Sequence, residues 1–348
     1  MPDEENQTKR NGKLSPPCTW KYEGGTGQMG EDVIVIKVSG GLGNQMQQYA
    51  LYRKFKEMGR EAYLDLTWFS PENQKKAGAR RGLELFFYPQ VHFEEEPKEV
   101  LRFFSQKRGN KAERILRRWF APLKGRLPLT ARPEEDYFFT EKEMYHPEIF
   151  SFQTKELDGF FHCQKYTEDI RERLLHDFSF PPHSDAGQEK KVREQEVRMG
   201  EENSIALHIR GGDYLQDSAN LALFGGIATK SYYRGALRYL KERMPEAKIY
   251  LFTNDEAYAG QMLEGETYTV VRGNAGRDAL QDIRLMRACR ADLCANSTFS
   301  IWGGRLNDRS DRILVRPPRM KNTQRVPASL MHEYWKGWVL VSEEGIEV

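Results

Sequence analysis

The sequence predicts an α/β protein made of two Rossmann-like domains that face each other across a ligand cleft. Three observations carry that expectation. A strand, a glycine turn, a helix and a second strand follow one another from Val33; strands and helices alternate again from Ser204; and a nearly all-polar stretch separates the two series. Repeated βα units build a mostly parallel sheet covered on both faces.

The first unit opens with Val33-Ile34-Val35-Ile36-Lys37-Val38, a continuous β-branched run that suits a buried parallel strand. Ser39-Gly40-Gly41-Leu42-Gly43 ends it. Met46, Ala50, Leu51, Phe55 and Met58 then form one stripe of a helix, and Ala62-Tyr63-Leu64-Asp65-Leu66 is the next strand, which completes a βαβ unit. Residues 70–150 mix basic helical stretches (Lys107 to Lys124) with the aromatic pairs Phe86-Phe87 and Phe138-Phe139, and hold no motif or repeat. Ser184–Asn203 is nearly all polar and charged and reads as a solvated linker or helix between domains. Beyond it, strands are expected at Ser204–Ile209, Lys248–Thr253, Tyr268–Val271, Asp292–Ala295 and, last, Arg312–Val315. Helices are expected at Ser231–Met244, with Ser231 as N-cap, and at Asp278–Arg290. The plan is therefore a polar extension (1–32), an N-terminal Rossmann-like domain (33–183), a charged linker (184–203), a C-terminal Rossmann-like domain (204–320) and a tail or helix (321–348).

Composition bounds the function. With 39% apolar and 12% aromatic residues, the 348-residue chain can bury a substantial core. The 53 Lys and Arg nearly balance 51 Asp and Glu, which argues against nucleic acid as a partner but permits a local basic pocket. Cys18, Cys163, Cys289 and Cys294 are scattered with no Cys-x-x-Cys pair, so neither disulfides nor zinc are expected. Residues 1–32 have no apolar stretch resembling a signal peptide, and no run of apolar residues is long enough to span a membrane. A cytoplasmic protein is expected; the oligomeric state is left open.

Three segments carry chemistry. Gly40-Gly41-Leu42-Gly43-Asn44-Gln45 joins a strand to a helix, where glycines admit close backbone approach and the helix N-terminus favours an anion. Taken alone, it equally fits a tight turn with no ligand. A dinucleotide fingerprint needs a third glycine where Met46 stands, which disfavours an NAD-dependent enzyme. His208-Ile209-Arg210-Gly211-Gly212-Asp213-Tyr214 lies at the carboxyl end of a strand, where open α/β sheets bind ligands. Arg210 can grip a phosphate with two hydrogen bonds, and the amides around Gly211-Gly212 can form an anion-binding nest. The bland alternatives are a core hydrogen bond for His208 and a turn cap for Asp213. Asn296-Ser297-Thr298-Phe299-Ser300-Ile301-Trp302 puts hydroxyls between a strand and a helix, suited to phosphate or ribose oxygens or to helix capping. Upstream, the Asp282 carboxylate can accept two hydrogen bonds from a guanine edge, or be a plain helix acid.

In this order the segments resemble the α-1,2-fucosyltransferase family, glycosyltransferase family 11. Gly40–Met46 with Gln48-Tyr49-Ala50 is similar to its N-terminal glycine motif, and His208–Tyr214 to its His-x-Arg-Arg-x-Asp-Tyr motif. Tyr250-Leu251-Phe252-Thr253-Asn254-Asp255 resembles its Phe-Ser-Asp-Asp turn, and Asn296–Trp302 with Leu306-Asn307 its Ser-Ser-Phe-Ser-Trp-Trp segment. The likeness spans residues 33 to 320 and thins between 70 and 200. It implies a GT-B-like fold, with the acceptor on the N-terminal domain and GDP-fucose on the C-terminal one. It also implies a bacterial enzyme that moves L-fucose from GDP-β-L-fucose to the 2-hydroxyl of a β-galactose-terminated glycan, with inversion and without a metal or other cofactor.

The resemblance implies catalytic roles for Arg210, His208 and Asp213, with Arg210 on the pyrophosphate and His208 lining the donor site. Gly41, Gly43, Asn44, Gln45, Gly212, Asn254, Asp255, Asp282, Ser297, Thr298, Phe299 and Ser300 complete the implied donor site, Asp282 reading guanine and Thr298 and Ser300 lying near phosphate. His208, Asp213 or the leaving phosphate itself could take the acceptor's proton. The chain departs from the family pattern at Gly211, which replaces a second arginine, and at Gln47 and Ile301. Arg284 or Arg305 could supply the missing cation. The competing readings are a fucosyltransferase of 1,6-type linkage and a non-catalytic GDP-sugar-binding protein.

Overall fold

The computed structural model describes residues 33–76, 81–98, 100, 138–139, 143–212, 218–323 and 326–348. The basic stretch Lys107–Lys124, Asp213 and Cys18 lie outside these.

Two parallel sheets organise the described chain. The N-terminal one has the order β2-β1-β4-β3, from Val33–Lys37 (β1), Glu61–Asp65 (β2), Phe138–Phe139 (β3) and Lys155–Gly159 (β4). The C-terminal one has the order β10-β9-β8-β5-β6-β7. Its strands are Ser204–Ile209 (β5), Lys248–Thr253 (β6), Thr269–Val270 (β7), Ala291–Leu293 (β8), Ile313–Arg316 (β9) and Trp338–Leu340 (β10), all paired in parallel. Read from β7, that is the doubly wound order 3-2-1-4-5-6, whose direction reverses between β5 and β8. In the smaller sheet β1 and β4 are the two central strands. Both halves are thus Rossmann-like, and together they make a GT-B-like pair.

The helices that matter below are Leu42–Glu57 (α1), Ala186–Glu201 (α2), Lys230–Arg243 (α3), Glu256–Met262 (α4), Leu280–Ala288 (α5), Thr298–Leu306 (α6) and Ala328–Tyr334 (α7). One core joins the halves. Ile34, Met46, Tyr49 and Phe178 from the first share a buried cluster with Trp302, Leu306, Leu314 and Trp335 from the second. Helix α1 is buried on nearly every side, so its glutamines must find partners inside. Gln47 Nε2 donates to the Phe161 carbonyl (2.7 Å), Gln48 Nε2 to that of Gly159 (2.9 Å), and Ser39 N donates to Gln48 Oε1 (2.9 Å). These bonds tie α1 to the segment after β4. A buried ion pair, Arg316 Nη2 to Glu143 Oε1 at 2.8 Å, ties β9 to the chain before β4.

The structure differs from expectation at three places. Helix α3 begins one residue early: Thr229, not Ser231, is its N-cap, accepting from Tyr232 N at 3.0 Å. The charged stretch at 184–203 is helix α2, and it is not solvated all round. Val192 and Met199, seven residues apart, bury one stripe against α5, while Arg284 pairs with Glu189 and Glu196. Finally, the 321–348 segment contributes both α7 and β10, so Arg312–Val315 is not the last strand. Only Trp338-Val339-Leu340 supplies β10, too short a run to show period-two alternation.

Candidate active site

In parallel sheets all carboxyl ends lie on one edge, and ligands bind where the strand order reverses. In the larger sheet that crevice lies beyond β5 and β8; β5 ends in His208-Ile209 with Arg210 next, and β8 is followed by Asn296-Ser297-Thr298. In the smaller sheet the corresponding crevice lies beyond the central strands β1 and β4, followed by Asn44 and His162. The two crevices meet. Thr298 Oγ1 donates to Asn44 Oδ1 (3.0 Å), and His162 Nε2 approaches the same oxygen (3.3 Å). Trp302 Nε1 donates to the Gly43 carbonyl at 2.9 Å. A Cβ on Gly43 would stand 2.6 Å from the Thr298 carbonyl carbon and 2.7 Å from Phe299 N. Gly43 is therefore glycine because the first turns of α1 and α6 touch there, whereas Gly41 faces open space.

Neither of these facing helix N-termini is capped by its own N-cap side chain, Gly41 for α1 and Ser297 for α6. Helices α5 and α7 likewise lack a side-chain cap, whereas α2, α3 and α4 are capped by Asp185, Thr229 and Asp255. Uncapped first-turn amides and the positive ends of two helix dipoles suit an anion.

His208 is 5% exposed, its ring 5.9 Å from that of Phe299, and its Nδ1 is buried without a hydrogen-bond partner. Burial, and then the Arg210 guanidinium, pull its pKa down to about 3, so the imidazole is neutral at physiological pH. His162 is likewise held to about 3, first by burial and then by Lys321 and Arg316. Lys321, which follows β9, sets its ammonium 4.9 Å from the centre of the Phe160 ring and 5.8 Å from that of Phe224. Phe160 stacks on His162 at 5.4 Å. His162, Phe160 and Lys321 carried no sequence signal of their own, since they stand in segments without a motif. Only the sheet order, with β4 beside β1, brings them to the crevice.

Other expected site residues turn out to hold the protein together. Gln45 is fully buried: Nε2 donates to the Gly40 and Gly82 carbonyls (both 2.9 Å), and Oε1 accepts from Glu84 N (2.7 Å). Ser300 is 1% exposed and returns its hydroxyl to the Ser297 carbonyl (3.2 Å), inside its own helix. Asn254 and Asp255 clamp the loop after β5, accepting from Gly211 N (2.9 Å) and Gly212 N (3.4 Å) respectively. The two amides expected as an anion nest are thus already engaged. A Cβ on Gly211 would lie 2.7 Å from the Asp255 Cβ, so this backbone has no room for a second arginine there. Neither suggested substitute fills the gap. Arg284 is held by Glu189 and Glu196, and Arg305 donates to Gln47 Oε1 (2.5 Å) and Thr167 Oγ1 (2.7 Å) at the junction of the halves. Asp282, in the first turn of α5, accepts from Asn274 Nδ2 at 2.6 Å, and burial raises its carboxyl to about 7. Among the described residues, no three His, Cys, Asp or Glu are grouped as a metal would need.

Residues 110–342 match the model for glycosyl transferase family 11, more than half of the 348-residue chain. The chain belongs to glycosyl transferase family 11. Within family 11 the parts it shares include both the β5–β8 crevice and the segment after β4. It is 29% identical over 303 residues to the O-antigen biosynthesis glycosyltransferase WbnK of Escherichia coli, covering 80% of this chain and 92% of that one. It is 27% identical over 293 residues to an alpha-1,2-colitosyltransferase of Escherichia coli, covering 82% and 91%. Among solved structures, NodZ alpha-1,6-fucosyltransferase soaked with GDP-fucose aligns with a TM-score of 0.39 at 15% identity, covering 81% of this chain and 97% of that one. At that score the likeness adds nothing to the fold read from the strand order. No described helix of this family 11 protein is long and apolar enough to cross a membrane.

Proposed function

We propose that this glycosyltransferase moves L-fucose from GDP-β-L-fucose to the 2-hydroxyl of a β-galactose-terminated glycan, with inversion and without a metal ion. One observation carries the reading: two uncapped helix N-termini meet beyond the central strands of both sheets, at the point where the order of the larger one reverses, tied by Thr298 to Asn44, with Arg210 on the adjoining strand end. Breaking the bond from fucose C1 to the diphosphate leaves growing negative charge on GDP, and stabilising that charge is the main electrostatic task. Arg210 and the first-turn amides of α6 would do it in the C-terminal half. Asn44 and His162 would face the acceptor from the other half. Burial leaves His208 too weak a base to accept a hydroxyl proton unaided, although a bound diphosphate would raise its pKa. That favours the leaving phosphate oxygen as the proton's destination.

The assay is incubation with GDP-fucose, lactose or N-acetyllactosamine, and excess chelator, with the product linkage read by NMR. An α-1,2-fucosylated galactoside formed at undiminished rate is expected. A 1,6 linkage, dependence on added metal, or GDP binding without transfer to any galactoside would each refute the proposal. The colitosyltransferase relative favours one second reading, in which the donor sugar is colitose, L-fucose lacking its 3-hydroxyl. Faster transfer from GDP-colitose than from GDP-fucose would select it.

The assignment of guanine to Asp282 has a pH signature. An ionised carboxylate can accept from both N–H groups of the guanine edge; a protonated one cannot. With the carboxyl near 7, GDP should bind more tightly as pH rises through neutrality, by about tenfold between pH 6 and 8. Calorimetry would measure it, and Asp282→Asn should abolish the part of the pH dependence that inosine diphosphate, lacking the 2-amino group, does not show. An unchanged profile in Asp282→Asn would remove Asp282 from the guanine site.

A further inference from the structure

A second cavity lies at the other edge of the larger sheet. Helix α6 runs back from the crevice, and at its carboxyl end Trp302 and Arg305 line a cavity of roughly 70 Å³ with Arg171, Arg312, Lys336 and Trp338. Arg312 immediately precedes β9, and Lys336 lies two residues before β10, so the cavity opens at the amino ends of those strands. It is about 10 Å along α6 from Thr298, by the rise of an α-helix.

Its charge is one-sided. Four cationic side chains line it against one carboxylate, Glu168. Elsewhere the described cations commonly have acids beside them, as Arg284, Arg316 and Arg319 do. Here, among the described residues, only Arg171 has a carboxylate within ion-pair distance, the exposed Glu172 at 3.5 Å; Asp308 acts on Arg171 and the buried Asp292 on Arg312 from farther off, and Arg171 Nη2 donates to the Asn307 carbonyl at 2.8 Å. Arg305 spends its donors on Gln47 and Thr167 and lies over the Trp302 ring at 4.2 Å. Arg312 donates to the Arg309 carbonyl (2.9 Å), and Lys336 makes no ion pair with any described residue. Burial, and next the facing Arg312, hold Arg171 below the ordinary arginine range, while burial brings Arg305 down to about 10. Like charges gathered round one cavity repel, and the cost is relieved by an anion placed between them. Guanidiniums flanked by flat indole walls suit the tetrahedral, multiply charged oxygens of phosphate.

We infer that this cavity, lined by Arg171, Arg312 and Lys336, is a binding site for a phosphate or diphosphate group, separate from the nucleotide-sugar crevice. The group belongs either to a free phosphate ester or to a lipid headgroup, since the recognition chemistry is the same. The site is independent of which sugar is transferred, and of whether GDP-fucose is the donor.

The test uses the full chain carrying Arg210→Ala, so that the nucleotide crevice does not compete for the probe. Calorimetric titration with inorganic pyrophosphate should still reveal one site. Adding Arg312→Gln and Lys336→Gln should weaken it by about tenfold or more, as loss of charge-assisted hydrogen bonds does. Arg312→Lys should restore part of the affinity, and circular dichroism should show all variants folded. Sedimentation with phosphatidylcholine vesicles, with and without phosphatidic acid, separates the sources. Binding that needs phosphatidic acid and both cations marks a lipid headgroup, and binding of pyrophosphate alone marks a soluble ester; either supports the site. Absence of both, or affinity unchanged by Arg312→Gln with Lys336→Gln, overturns it.

Discussion

Arg210→Ala should lower kcat/KM for fucosyl transfer by on the order of 10²–10³-fold, the usual cost of removing one preorganised donor from developing charge. The size of that effect follows from what surrounds it. Gly211 leaves no space for a neighbouring arginine, and the amides of Gly211 and Gly212 are already bound by Asn254 and Asp255. Arg284 and Arg305 are committed elsewhere. Two further described cations act on His162: Arg316, which is paired with Glu143, and Lys321, set against Phe160 and close enough to depress the His162 pKa. Lys321→Ala should therefore cost less than Arg210→Ala but more than a surface lysine would. Steady-state kinetics with GDP-fucose and lactose give both numbers, and near-wild-type turnover in Arg210→Ala would remove the guanidinium from the mechanism.

Gly43→Ala should damage both stability and activity, while Gly41→Ala, two residues away, should leave stability almost unchanged. At Gly43 the added methyl meets backbone atoms of Thr298 and Phe299 at 2.6 and 2.7 Å, and neither side can yield without parting the first turns of α1 and α6. Overpacking of that kind typically costs about 1–3 kcal/mol. Shifting α6 would also strain the Thr298–Asn44 and Trp302–Gly43 bonds, which hold the two crevices in register. At Gly41 the methyl meets nothing, and the backbone has the ordinary extended φ of −84°. Thermal unfolding together with kcat/KM separates the two variants. Equal behaviour would mean that the glycine motif serves the turn and not the meeting of the halves.

That contrast also shows where sequence reasoning reaches. The β-branched run at Val33 and the strands at Ser204 and Lys248 were legible because buried parallel strands leave long apolar runs with clear punctuation. The motif residues Asn44, His208, Arg210 and Thr298 stand out in the sequence because a strand end followed by glycine or hydroxyl residues is where open α/β sheets can take a ligand, and the fold brings Asn44 and Thr298 together. What the residues at Gln45, Ser300, Asn254 and Asp255 do inside the fold was not. A polar side chain beside a glycine turn looks the same in sequence whether it faces a ligand or satisfies a neighbouring amide, and only the surrounding backbone decides. His162 and Lys321 come close to the motif residues only because β4 pairs with β1 and β9 with β8, pairings that no local pattern encodes. Helix α2 reads as solvated in the sequence because only two of its sixteen residues, Val192 and Met199, form a buried apolar stripe, yet they suffice to seat it.

The most direct measurement is a crystal structure of the chain with GDP. The account predicts the diphosphate in the crevice beyond β5 and β8, within hydrogen-bonding reach of the Arg210 guanidinium and the first turn of α6. GDP bound at another place, with Arg210 turned away from it, would contradict the account.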